Sequence, residues 1–169
     1  MIKILHYALD VPPLNTGGVT KKPKNIMLCQ VTNGNEVSLL YPGHISTDRE
    51  LKIKKSKSFS NIKVYEIVNP IATTLLSEGH NPKVSLKHMG INIYTNFLRT
   101  IAVNIIHIHT LVNLDEEFIL AAHKLNIKII FTSHDYMGIC PNVNPINSGV
   151  KSCTDYGNGE KCVICNREL

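Results

Sequence analysis

Four of the five cysteines fall in the last 30 residues, at Cys140, Cys153, Cys162 and Cys165. Thiolates so gathered can hold a metal ion. Cys162-x-x-Cys165 has the spacing of the tight half of many zinc sites, in which two sulfurs reach one ion about 2.3 Å away. Cys140 and Cys153 are loosely spaced and must be brought in by the fold. A structural zinc, reduced thiols with no shared ligand, and disulfides are all open on this pattern. The tail is rich in Gly and Asn and lacks apolar residues for a core of its own. That composition favours a closed, tetrahedral zinc bound by all four thiols, because metal binding supplies the missing order. Cys29 is set apart, in the first expected helix and facing the core.

The second group is histidine. His107 and His109 alternate with Ile106 and Ile108, so both share one face of a strand. His107 reads as a core histidine, and His109, at the strand's end, as a cleft residue. A further apolar run ends in Thr132-Ser133-His134-Asp135-Tyr136. There His134 is a candidate for contact with a ligand or transition state. Asp135 lies beside it, but neighbouring side chains on a strand point to opposite faces, so the pair is no dyad by adjacency alone. The third group is Asn15-Thr16-Gly17-Gly18. Paired glycines let the backbone approach a ligand, and a following helix aims free N–H groups at an anion. Neither a Gly-x-Gly-x-x-Gly fingerprint nor a Walker loop is present.

These residues need elements to position them. Short apolar runs bounded by turn residues predict strands over 2–8, 36–41, 62–68, 104–110 and 127–133. Leu86, Met89, Ile93, Phe97 and Ile101 predict one helix over 85–101. Asn113 reads as the N-cap of another, with Leu114, Phe118, Ala122 and Leu125 on its buried face. A helix over 19–32 must carry Pro23 in its first turn. Residues 43–61 and 69–84 read as long polar connections. The alternation predicts an α/β fold, a doubly wound parallel sheet of order 3-2-1-4-5 with the site beyond its carboxyl edge. The domain spans residues 1–139, and 140–169 form a Cys-rich extension.

The chain of 169 residues carries a formal charge of +5. All of it is local: residues 51–63 hold Lys52, Lys54, Lys55, Lys57 and Lys63 and no acid. The segment is a solvated loop or a patch for anionic lipid head groups. Nucleic acid is not expected, since no aromatic except Phe59 is interleaved for base stacking and the motifs of nucleic-acid folds are missing. No apolar run reaches the roughly 18–20 residues of a membrane span, and the N-terminus lacks the pattern of a signal peptide. A cytoplasmic chain is expected, in contact with the inner face of the cell membrane at most. A reducing compartment favours metal over disulfide.

Taken together, Met1-Ile-Lys-Ile-Leu-His6, Thr16-Gly-Gly-Val-Thr20, Asn33-Gly-Asn-Glu-Val-Ser38, Asn104-Ile-Ile-His-Ile-His109, Ile129–Tyr136 and the Cys-Pro…Cys…Cys-x-x-Cys tail resemble the N-terminal half of family-4 glycosyltransferases. The resemblance implies a Rossmann-like domain, one of two facing across a cleft in a GT-B architecture. It implies retaining transfer from a nucleotide-sugar donor to a glycan or lipid-linked acceptor, with no cofactor required. It assigns His134 to the reacting centre, Gly17 and Gly18 to the donor diphosphate, and His109 and Asp135 to the same cleft. Three departures stand out. The chain ends where the family leaves its first domain, so this polypeptide is expected to be inactive alone. Lys21-Lys-Pro-Lys24 occupies a helix start that is smoothly amphipathic in the family. Glu160 and Glu168 match the family's Glu-x7-Glu spacing only by coincidence. The rival expectation is a zinc-stabilised binding or interaction module without catalysis. A dehydrogenase-like nucleotide binder is disfavoured by the missing fingerprint.

Overall fold

The computed structural model describes residues 1–9, 18–71, 90–134, 136, 139, 140, 145, 146, 149–154 and 157–167. Gly17, Asp135 and the 72–89 segment, with Leu86 and Met89, lie outside them. The strands are β1 (Lys3–Tyr7), β2 (Glu36–Pro42), β3 (Lys52–Phe59), β4 (Ile62–Val68), β5 (Ile105–Ile108) and β6 (Lys128–Phe131). The helices are α1 (Gly18–Thr32), α2 (Ile91–Ile101), α3 (Glu116–Lys124) and α4 (Glu160–Arg167). All six strands form one sheet of order β3-β4-β2-β1-β5-β6. Every pairing is parallel except β3 with β4. The five expected strands take their expected order, 3-2-1-4-5, in the parallel part.

Alternation along β1 divides the core. Leu5 and Tyr7 face one side and pack with Tyr94, Leu98, Phe118 and Ala122 of α2 and α3. Ala8, Val37, Leu39 and Val64 face the other and pack with Met27, Leu28 and Val31 of α1. Helices thus cover both faces, as parallel strands with apolar side chains on both sides require. His6 lies between Leu5 and Tyr7 in β1 and so points to the α1 side.

Several boundaries differ from expectation for physical reasons. The polar connection expected over 43–61 contains β3. Its lysines mask a strand whose Ile53 and Phe59 pack against the core, and Ser60 and Asn61, both at positive φ, turn it into β4. The N-cap of α3 is Asp115, whose carboxylate accepts from Glu117 N at 2.9 Å. Asn113 instead takes a left-handed turn with φ 53. In α2 the fully buried positions are Tyr94, Thr95 and Leu98, so Ile93, Phe97 and Ile101 flank the buried face. Pro23 lies beyond the first turn of α1 and removes an internal hydrogen bond there. Cys29 is on α1 but exposed, because the sheet-facing positions are Met27, Leu28 and Val31.

Candidate functional site

The carboxyl ends of β1, β5 and β6 lie side by side, and four imidazoles meet near them. His6 and His107 are register partners across β1 and β5. His109 follows β5 on the same face as His107, and its N–H bonds the Tyr7 carbonyl at 2.9 Å. His134 lies just beyond β6. His6, His107 and His109 are 0%, 9% and 1% exposed. His134 is half-buried.

The rings form a continuous chain. Gln30 Oε1 on α1 lies 2.7 Å from His6 Nε2. His6 Nδ1 lies 2.8 Å from His109 Nε2. His109 Nδ1 lies 2.9 Å from His134 Nε2. His107 stands beside this chain, its ring 4.1 Å from that of His109, and its Nε2 meets Thr132 Oγ1 at 2.8 Å.

Chemistry orders the protons. A carbonyl oxygen only accepts, so His6 Nε2 donates to Gln30. In neutral rings His6 Nδ1 then accepts from His109 Nε2, and His109 Nδ1 accepts from His134 Nε2. Burial disfavours the charged forms. His6 is pushed down to about 4, mainly by burial, with His107 adding to the effect and the Gln30 hydrogen bond opposing it. His109 is pushed down to about 3 by burial and by the three neighbouring imidazoles. His107 is lowered by the same cause, with His134 contributing. His6, His107 and His109 are therefore neutral near pH 7, and each of these three rings keeps one lone pair.

The sequence-predicted residues divide. His109 and His134 come together. His109 is enclosed, with both ring nitrogens engaged, and contacts the outside through His134. Gly18 is the first residue of α1, the helix that follows β1. Among the described residues, the His/Cys/Asp/Glu group with ligand atoms within 4.8 Å of one another is His6, His107 and His109, and it includes no cysteine. A scan of protein-family models finds no match to the chain, and a search of curated proteins finds none either.

The cysteines sit elsewhere. Cys162 and Cys165 lie on α4, three positions apart and therefore on one helix face, rather than in a turn. Cys140 N bonds the Tyr136 carbonyl and Cys153 N the Pro145 carbonyl, both at 2.7 Å. None of the five cysteines is joined in a disulfide. The residue that sequence reasoning missed is His6. It reads as one more member of a buried strand. The signal was available: strands one and four are neighbours in the expected order, so a polar residue in the middle of the first faces those of the fourth.

Proposed function

We propose that this chain is the acceptor-side domain of a retaining glycosyltransferase, with His134 at the transferred sugar. The observation that supports it best is the His109–His134 contact at the carboxyl edge of the sheet. That edge is where strand order reverses: the chain runs from β1 outward to β2 and β4, then returns to β5 on the other flank. Open α/β sheets bind ligands at such a point. The Rossmann-like topology and the start of α1 at Gly18 agree with a donor diphosphate approaching helix N–H groups.

His109 fixes the plane of the His134 ring by its hydrogen bond. A ring so held exchanges a hydrogen bond with a sugar hydroxyl without reorganising during the reaction. Groups that stabilise the leaving diphosphate belong to the second domain that the resemblance implies. The acceptor is a glycan or lipid-linked saccharide at the cytoplasmic face of the membrane.

The test is imidazole NMR on the 169-residue chain with nucleotide sugars and oligosaccharides. Saccharide-dependent shifts at His134, lost in His134→Ala, are expected, without steady turnover. Shifts confined to other parts of the chain, or sustained transfer by this polypeptide alone, contradict the reading.

A second reading is a zinc-stabilised binding module. It is supported by Cys162 and Cys165 on one face of α4, a spacing from which two thiolates reach one ion. Zinc retained by the reduced protein and lost on Cys162→Ser and Cys165→Ser supports it.

A further inference from the structure

We propose that His6, His107 and His109 form a tris-imidazole site for a divalent transition metal of the zinc class. It is distinct from the cysteine tail and does not rest on the sugar-site reading, although it shares His109 with it.

Three observations carry it. First, one ligand atom from each of the three rings lies within 4.8 Å of the others, and all three rings are buried. Second, each ring has its other nitrogen held: His6 Nε2 by Gln30, His107 Nε2 by Thr132, and His109 Nδ1 by His134. Metal-ligating histidines are oriented in this way, by an outer partner that fixes the tautomer and raises the basicity of the ligating nitrogen. The partners leave His6 Nδ1, His107 Nδ1 and His109 Nε2 for the ion. Third, a hydrogen-bond chain explains only two of the three rings. His6 and His109 bond each other, but His107 makes no bond to either and still converges on them.

The fit is close. His6 Nδ1 and His109 Nε2 are 2.8 Å apart. Tetrahedral ligands about 2.0–2.1 Å from an ion lie roughly 3.3 Å from each other, so two rings open by about half an ångström. Three nitrogens and no oxygen ligand suit zinc, cobalt, nickel or copper and not calcium or magnesium. Three neutral ligands leave the ion's charge uncompensated, so the fourth position takes water, hydroxide or an anionic oxygen.

Occupancy has a consequence at His134. An ion on His109 Nε2 moves that ring's proton to Nδ1, which then donates to His134 Nε2. To accept that bond His134 must carry its proton on its own Nδ1. Each ring keeps one proton, and the donor–acceptor pattern offered at the sheet edge is inverted.

The experiment uses the reduced chain without an affinity tag, in two forms: native, and with Cys140, Cys153, Cys162 and Cys165 all replaced by Ser. Zinc and cobalt(II) are the probes. One equivalent of zinc bound by the Ser form is expected. Its cobalt complex should show the visible bands of a four-coordinate ion without thiolate charge transfer. Zinc should shift the ring nitrogens of His6, His107 and His109 and convert His134 to the Nδ1–H tautomer. Thr132→Val, which removes the partner of His107 without touching a ligand, should weaken binding about tenfold. His107→Gln should weaken it further. If that variant does not fold, the native spectra decide. Absence of metal from the Ser form, or ring shifts absent from the three histidines, overturns the proposal.

Discussion

His109 Nδ1 lies 2.9 Å from His134 Nε2, joining an enclosed imidazole to a half-buried one. The two should therefore respond differently to removal. His134→Ala should change stability little and, in an enzyme that includes the donor-binding domain, lower turnover. His109→Ala strips partners from His6 and His134 and opens a buried space. It should cost about 2–3 kcal/mol, measurable by urea denaturation. Equal destabilisation by both, with turnover intact in His134→Ala, would return His134 to a purely structural role.

Asn69 is 3% exposed with φ 57. Its side chain accepts from Ser46 N at 2.6 Å and donates to the Glu50 carbonyl at 2.7 Å, pinning the 44–50 loop against the end of β4. Asn69→Ala should lower stability by about 2 kcal/mol, and Asn69→Gly should recover only the backbone part of that loss. A melting temperature unchanged in the alanine variant contradicts this.

Two phenols give a pH dependence. Tyr7 donates to the Val112 carbonyl at 3.0 Å and Tyr94 to Asp115 Oδ2 at 3.2 Å. Burial raises both well above the ordinary phenol range, and the Asp115 carboxylate adds to the shift. Unfolded tyrosines ionise near pH 10. Above that pH the unfolded state sheds protons that the folded state keeps. Stability should be unaffected below about pH 10 on this account and should fall as pH rises beyond it. Tyr7 and Tyr94 should be missing from the tyrosinate absorbance of the native protein and should appear only on unfolding. Ionisation of Tyr7 and Tyr94 in a still-folded chain near pH 10 would be the contrary result.

The lysine segment is less open than its composition implies. Lys52 pairs with Asp48 at 2.5 Å and Lys63 with Glu36 at 2.5 Å. Lys54, Lys55 and Lys57 remain exposed on β3. Binding to anionic vesicles should be weak, on the order of 1 kcal/mol per lysine, and should fade with salt. Equal co-sedimentation with neutral and anionic vesicles argues for a solvated edge.

The parallel sheet was legible because buried strands are short apolar runs, and β4 occupies its expected span, Ile62–Val68. β3 was not, since an edge strand needs few apolar residues and its lysines read as loop. Asn113 and Asp115 both suit an N-cap, and only the backbone decides between them. Within the site, His107 and His109 were legible from alternation. His6 called for a second step, from the expected strand order to the register between strands far apart in sequence, which pairs it with His107. The cysteine spacing suggested one metal site, whereas the convergent ligand atoms among the described residues belong to histidines.

The first strand of the chain lies in the middle of the sheet, and this constrains when the imidazole cluster can arise. His6 and His109 are 103 positions apart. Closing a loop of that length costs about 4 kcal/mol of chain entropy before any contact repays it. As the chain leaves the ribosome, β1, α1, β2 and β4 can gather into a half-sheet, while the other flank of β1 waits for β5. No ion can be held at the cluster during that interval. A metal there would act on the finished sheet, as a latch between two halves that fold in sequence, and could not nucleate either of them.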